Sequence, residues 1–205
     1  MKNFVKRSMV MLVLLFASSV GFAQTKVVVI PMAGADLKPL SNIVTVAKEN
    51  GDFDDLNNAL ASITDASVNN PYLLVIAPGK YTLSAQAVIP EYVQVSGSGR
   101  YATILRATGG TNALEEAAAA IVLPSNAVIS DLTLESRASS SHVIGIYLTT
   151  LGFLDRPAVI DNVFVNARGS SASLWNIGIY DAQGDAEIKD SIVEVQKTSA
   201  LGLSQ

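Results

Sequence analysis

Apolar and polar residues alternate in short runs along most of the chain, and one stretch departs from that pattern. There Asn50-Gly51-Asp52 forms a turn signal followed by Phe53, Leu56, Leu60 and Ile63. That spacing predicts a helix with one apolar stripe, capped by Asp52 and ending by about Thr64. Elsewhere, Val- and Ile-rich runs bounded by glycine or proline predict strands. They are Lys26-Val27-Val28-Val29-Ile30 before Pro31, Tyr72-Leu73-Leu74-Val75-Ile76 before Pro78-Gly79, Tyr92-Val93-Gln94-Val95 before Gly97, and Thr103-Ile104-Leu105. The run Leu114–Ala120 suits a helical turn or two and is expected to be an insertion outside the core.

The second half repeats itself. Ala127-Val128-Ile129-Ser130-Asp131-Leu132-Thr133-Leu134 aligns with Ala158-Val159-Ile160-Asp161-Asn162-Val163-Phe164-Val165 and with Ala186-Glu187-Ile188-Lys189-Asp190-Ser191-Ile192-Val193, the starts 31 and 28 residues apart. Ile144-Gly145-Ile146-Tyr147 and Ile177-Gly178-Ile179-Tyr180 follow the first two copies, and a weaker Leu201-Gly202-Leu203 follows the third. A period of about 30 residues, carried by strands without an intervening helix, is the signature of a solenoid. Neither a leucine-rich frame nor a helical repeat is present, so the expected class is all-β, a parallel β-helix of about four or five coils with a short N-terminal capping helix. Alternation places Ile129, Ile160 and Ile188 in one inward stack and Leu134, Val165 and Val193 in another. Asp131, Asn162 and Asp190 share one position, where a side chain that bonds its own backbone favours a corner. Ser191 interrupts the apolar column of Leu132 and Val163.

Composition then narrows the chemistry. The chain has 205 residues and no cysteine, which excludes disulfide scaffolds, thiol chemistry and Cys-based zinc sites, and its one histidine excludes multi-histidine metal sites. Lys2, Lys6 and Arg7 precede an apolar run from Met9 to Phe16, and Gly21-Phe22-Ala23 supplies small residues, so residues 1–23 read as a secretory signal peptide. Removing those three cations leaves 11 basic residues against 18 acidic, a formal net charge of −7. That balance disfavours nucleic acid, and no other segment is long and apolar enough to span a membrane. The expected location is secreted or periplasmic. Residues 24–41 form a lead-in, and residues 42–205 the β-helix domain, with a shortened C-terminal end.

Family resemblance enters through Val44-Thr45-Val46-Ala47-Lys48-Glu49-Asn50-Gly51-Asp52-Phe53 with Leu56 and Ala59-Leu60. It continues through Ile76-Ala77-Pro78-Gly79-Lys80-Tyr81, Tyr92-Val93-Gln94-Val95-Ser96-Gly97-Ser98-Gly99 and Thr103-Ile104. Roughly residues 42–106 resemble the opening of pectinesterases and, more widely, the pectin-lyase-like superfamily. The resemblance implies a right-handed parallel β-helix and a polysaccharide ligand. It does not extend to catalysis, because the Asp-Phe-Ile-Phe-Gly and Arg-x-Trp elements of pectinesterases and the Asn-x-Asp, Gly-His and Arg-x-Lys elements of polygalacturonases are missing.

Candidate ligand-binding residues come from spacing. Arg106, Arg137 and Arg168 are 31 apart, and Lys197 follows after 29. If each interval is one coil, four cations form a column suited to the carboxylates of an acidic polysaccharide, since guanidinium binds carboxylate bidentately. The plainer alternative is a solvated turn with Glu135 and Glu194 as counter-ions. Tyr147 and Tyr180 should face outward, one above the other, as sugar platforms with Trp175, or as an aromatic stack between coils. Asp161, Asp181, Asp185 and Asp190 are weak calcium candidates, with solvated turns the alternative. Arg156 beside Asp155 has the chemistry of a lyase base or a surface ion pair, and His142 is expected to be exposed in a Ser-rich turn.

The expected function is noncatalytic engagement of an extracellular, acidic polysaccharide, or a surface structural role, with no required cofactor. One alternative is a divergent pectic lyase or esterase, and another is a subunit of an adhesin- or tailspike-like assembly. An uncapped last coil is expected to favour a homo-oligomer.

Overall fold

The computed structural model describes residues 42–111, 115–138, 142–149, 156–169, 175–181 and 186–197. The signal peptide, the run Lys26–Ile30, Asp155, Asp185 and Leu201-Gly202-Leu203 lie outside the described residues.

Short β-branched runs separated by turn residues make the chain bend every few residues, and each run pairs in parallel with its counterpart one turn on. β1 (Asn42–Val46) is followed by helix α1 (Leu56–Ser62). Then come β2 (Tyr72–Ile76), β3 (Gly79–Thr82), β4 (Ala87–Val88), β5 (Val93–Ser96), β6 (Thr103–Thr108) and β7 (Ala119–Pro124). The repeat region gives β8 (Val128–Ala138), β9 (Val143–Thr149), β10 (Val159–Gly169), β11 (Asn176–Asp181), β12 (Glu187–Lys189) and β13 (Ile192–Lys197). Among the described residues a nine-stranded sheet runs β1-β2-β5-β8-β10-β12, with β3, β6 and β13 continuing it past a corner, and a four-stranded sheet runs β11-β9-β7-β4. The whole is a parallel β-solenoid of about five turns with α1 its only α-helix.

The expected stacks form in the expected register. Ile129 pairs Ile160 and Ile160 pairs Ile188, while Leu134 pairs Val165 and Val165 pairs Val193. The first two members of each row are fully buried, and each such side chain contributes about 1.5–3 kcal/mol. Corners are made by Asp131, Asn162 and Asp190, all in the left-handed region at φ 57, 53 and 43°. Asn and Asp tolerate that region better than other residues with a Cβ. The corners also bond to each other, Asn162 Nδ2 donating to Asp131 Oδ1 at 2.7 Å. Where the third copy has Ser191 instead of an apolar residue, the ladder is patched by its hydroxyl. Ser191 Oγ accepts from the Val163 amide at 3.1 Å and donates to the Lys189 carbonyl at 2.7 Å.

Two local expectations are corrected. The helix is capped by Asp55, whose carboxylate accepts from the Asn58 amide at 2.9 Å. Asp52 is drawn away by Thr45, accepting from its amide at 2.8 Å and its hydroxyl at 2.7 Å, which holds the Asp52 carboxyl below the usual carboxylate range. The run toward Ala120 is not wholly an insertion. After a single 3-10 turn at Glu116–Ala118 it enters β7, whose Ala120, Ile121 and Leu123 join the core. Leu56, Ala59 and Leu60 of α1 belong to the same core. No helix among the described residues is long and apolar enough to cross a membrane.

Candidate functional site

Beyond the Asp131/Asn162/Asp190 corner, alternation turns every second residue of β6, β8, β10 and β13 outward while Leu105, Leu134, Val165 and Ala167 fill the core. Three outward rows result, with coils about 4.8 Å apart. The first is Ile104–Thr133–Phe164–Ile192, the second Arg106–Glu135–Asn166–Glu194, and the third Thr108–Arg137–Arg168–Gln196.

This register changes the cation column. Arg137 and Arg168 are direct partners, as the 31-residue interval implies. Arg106 is opposite Glu135 instead, because the coil joining β6 to β8 is 29 residues long at that position. The corner between β5 and β6 spans Gly97–Ala102, whereas that of β8 is one residue, so coil length is not constant along the chain. Lys197 is likewise displaced. It pairs Gly169, one position past the row, and alternation directs it to the other side of the strand. Two of the four expected cations therefore form a column, and Arg106 adjoins it from the neighbouring row.

Electrostatic contacts follow the rows. Glu135 Oε2 accepts from Arg106 Nε at 2.9 Å and from Arg137 Nη2 at 3.3 Å, so one carboxylate is shared between two guanidiniums. Arg168 Nε donates to Asn166 Oδ1 at 3.0 Å, and Gln196 Nε2 donates to Glu194 Oε2 at 3.4 Å. The arginine side chains of the pair around Glu135 stay about half exposed, 43% for Arg106 and 53% for Arg137. Like charges at coil spacing repel by about 1 kcal/mol in water-like dielectric, so a further anion at the arginine pair is favoured. Beside this face, a cavity of about 100 Å³ is lined by Gln86, Ala107, Thr108, Ala118 and Ser136, large enough for a few waters. Gln86 Nε2 closes one side by donating to the Glu116 and Ala119 carbonyls at 2.6 and 3.0 Å.

The aromatic candidates lie on the four-stranded sheet. Tyr147 and Tyr180 are register partners with stacked rings, 5.2 Å between centroids and 24° between planes. They pack on a small cluster of Ala118, Ala119 and Ile144 outside the main core. Each ring thus gives one face to the other. Trp175 is 61% exposed at the start of β11. Gly145 and Gly178 lie at the same level of this sheet, and a Cβ on Gly145 would come within 2.4 Å of the Gly178 carbonyl oxygen and 2.5 Å of Val165 Cγ1.

The remaining candidates separate. Asp161 lies on β10 opposite Lys189, which itself pairs with Glu187 at 2.8 Å and has its pKa raised, chiefly by that hydrogen bond. Asp181 belongs to the other sheet and Asp190 is a corner residue, and no group of three or more metal-ligating acids converges among the described residues. Arg156 lies at a coil boundary, its amide donating to Asn126 Oδ1 at 3.2 Å and its carbonyl accepting from the Asn126 amide at 2.9 Å. His142 is not exposed. It is 6% exposed because its amide donates to the Thr111 carbonyl at 2.8 Å, bridging the two segments, and its Nδ1 has no partner among the described residues.

Asn166 was not singled out by sequence reasoning. Its signal was present as an acceptor two residues before a donor in three successive repeats: Glu135-x-Arg137, Asn166-x-Arg168 and Glu194-x-Gln196. No protein-family model matches the chain, and no curated protein matches it.

Proposed function

We propose that this chain is a noncatalytic β-helix protein of the pectin-lyase-like type that engages an acidic polysaccharide outside the cytoplasm through the outer face carrying Arg137 and Arg168. The observation that carries the reading is their direct register, which stacks two guanidiniums one coil apart on an exposed sheet face. Guanidinium recognises carboxylate by paired, charge-assisted hydrogen bonds, and a flat face about four coils tall suits an extended polymer better than a compact ligand. The segment resembling pectinesterases and the signal-like residues 1–23 support a polysaccharide ligand and export. The test is retention on a polygalacturonate gel. The double substitution Arg137→Ala/Arg168→Ala should lower retention at least tenfold at low salt, and unchanged retention removes the reading. Release of unsaturated products or methanol from pectin would instead identify an enzyme.

A second reading, a subunit of a larger assembly, is favoured by the last coil. Ile188, Ile192, Val193 and Val195 are 40–50% exposed, an apolar end that a second chain could cover. Light scattering on the purified protein distinguishes the two, a trimer or dimer favouring assembly.

A further inference from the structure

On the outer face three successive coils repeat one device, an acceptor bonded to a donor two residues later. In the first and third coils the acceptor is a carboxylate, Glu135 or Glu194, so the device is internally satisfied. In the middle coil it is the neutral carboxamide of Asn166, 6% exposed and bonded to Arg168 Nε. Among the described residues Arg168 contacts no carboxylate, whereas Arg106 and Arg137 share Glu135. An anion is thus missing from the pattern at one coil, next to the only register-paired arginines of the face. Asn166 has Glu135 as its register partner on one side and Glu194 on the other, so carboxylates border the position along the solenoid axis in both directions.

We propose that Arg168, with Arg137 beside it, forms a subsite for one isolated carboxylate of a glycan. Asn166 keeps it open by withholding an internal counter-ion, and Glu135 and Glu194 screen its neighbours. This rests on the reading that the face binds acidic polysaccharide and sharpens the substrate class. A polyuronate with every carboxylate free presents further charges one coil away, where they meet Glu135 or Glu194. A polyuronate with most carboxylates methyl-esterified presents a single charge among neutral esters, which matches the bordered site. Asn166 is therefore the specificity-determining residue, and Asn166→Asp would supply the missing anion from within and close the subsite.

The test measures affinity by calorimetry for two probes, fully de-esterified polygalacturonate and the same polymer mostly methyl-esterified, expressed per free carboxylate. The wild-type chain should prefer the esterified polymer by at least threefold. Asn166→Asp should lose about tenfold on both while melting no lower than the wild type, because it completes an ion pair with Arg168. Glu135→Gln/Glu194→Gln should bind the de-esterified polymer about tenfold more tightly and erase the preference. This pair tests the same site should Asn166→Asp fail to fold. Unchanged affinity in Asn166→Asp or in the glutamine pair, or a wild-type preference for the dense polymer, overturns the subsite. If retention also survives Arg137→Ala/Arg168→Ala, or neither polymer binds, the broader reading falls as well.

Discussion

Two regions built from one repeat behave differently. In the middle coils Ile160 and Val165 are fully buried, while their register partners in the last described coil, Ile188 and Val193, are 50% and 45% exposed. Backbone direction, alternation and corner chemistry are shared, so the difference is not in the residues. It lies in how many neighbouring coils each one has. A solenoid residue is buried by the coil above and the coil below, and stability is a sum over such interfaces.

The largest test of that comparison is truncation in each region. Ile160→Ala should cost about 2–5 kcal/mol by urea denaturation, against under about 1 kcal/mol for Ile188→Ala. Equal costs would mean that the last coil is covered in solution. Glycines give the next contrast. Gly145→Ala meets backbone and a core valine, and is expected to cost about 3 kcal/mol in the same assay. Gly178→Ala meets only the half-exposed Val193 side chain, 2.1 Å from Cγ1, which can turn away, and should cost about 1 kcal/mol. At the corners, Asn162→Ala loses a bond to Asp131 and forces alanine into the left-handed region, for about 2 kcal/mol, with Asp190→Ala nearer 1 kcal/mol in thermal melts. The smallest effect lies at the other end of the solenoid and depends on pH. Because hydrogen bonds from Thr45 lower the folded pKa of Asp52, its contribution is present above the unfolded value near 3.9 and disappears as pH falls through the folded value. The melting difference between wild type and Asp52→Asn should be constant from about pH 5 to 7 and shrink below about pH 4.

Much of the fold was legible because its determinants are local. Ile129, Ile160 and Ile188 were placed by period-two alternation, and Asp131, Asn162 and Asp190 by the turn preferences of short polar side chains. Helix capping was misassigned because Asp52 and Asp55 are both suitable acids, and the choice depends on Thr45 across the turn. Strand β7 was obscured by an alanine-rich run whose burial is decided by the sheet it joins. His142 was misread for a similar reason, since only its pairing with Thr111 withdraws it from solvent. At the candidate site, Arg137 and Arg168 were found because their coil has a one-residue corner at each end. Arg106 and Lys197 were displaced because counting residues between cations ignores the length of the intervening corners. Asn166 was missed because its meaning is comparative, and it becomes visible only when Glu135 and Glu194 are set in register on either side.

The one-residue corners also make this solenoid modular. From Asp131 to Asn162 the chain advances 31 residues and returns to the same left-handed backbone, the same sheet row and the same in-out phase. A tandem duplication of residues 131–161 would therefore insert a whole coil without disturbing its neighbours' register. It would also place another arginine beside Arg137 and Arg168. Ligand valency in such a protein could then be lengthened by copying one segment of gene, with no new site having to be invented.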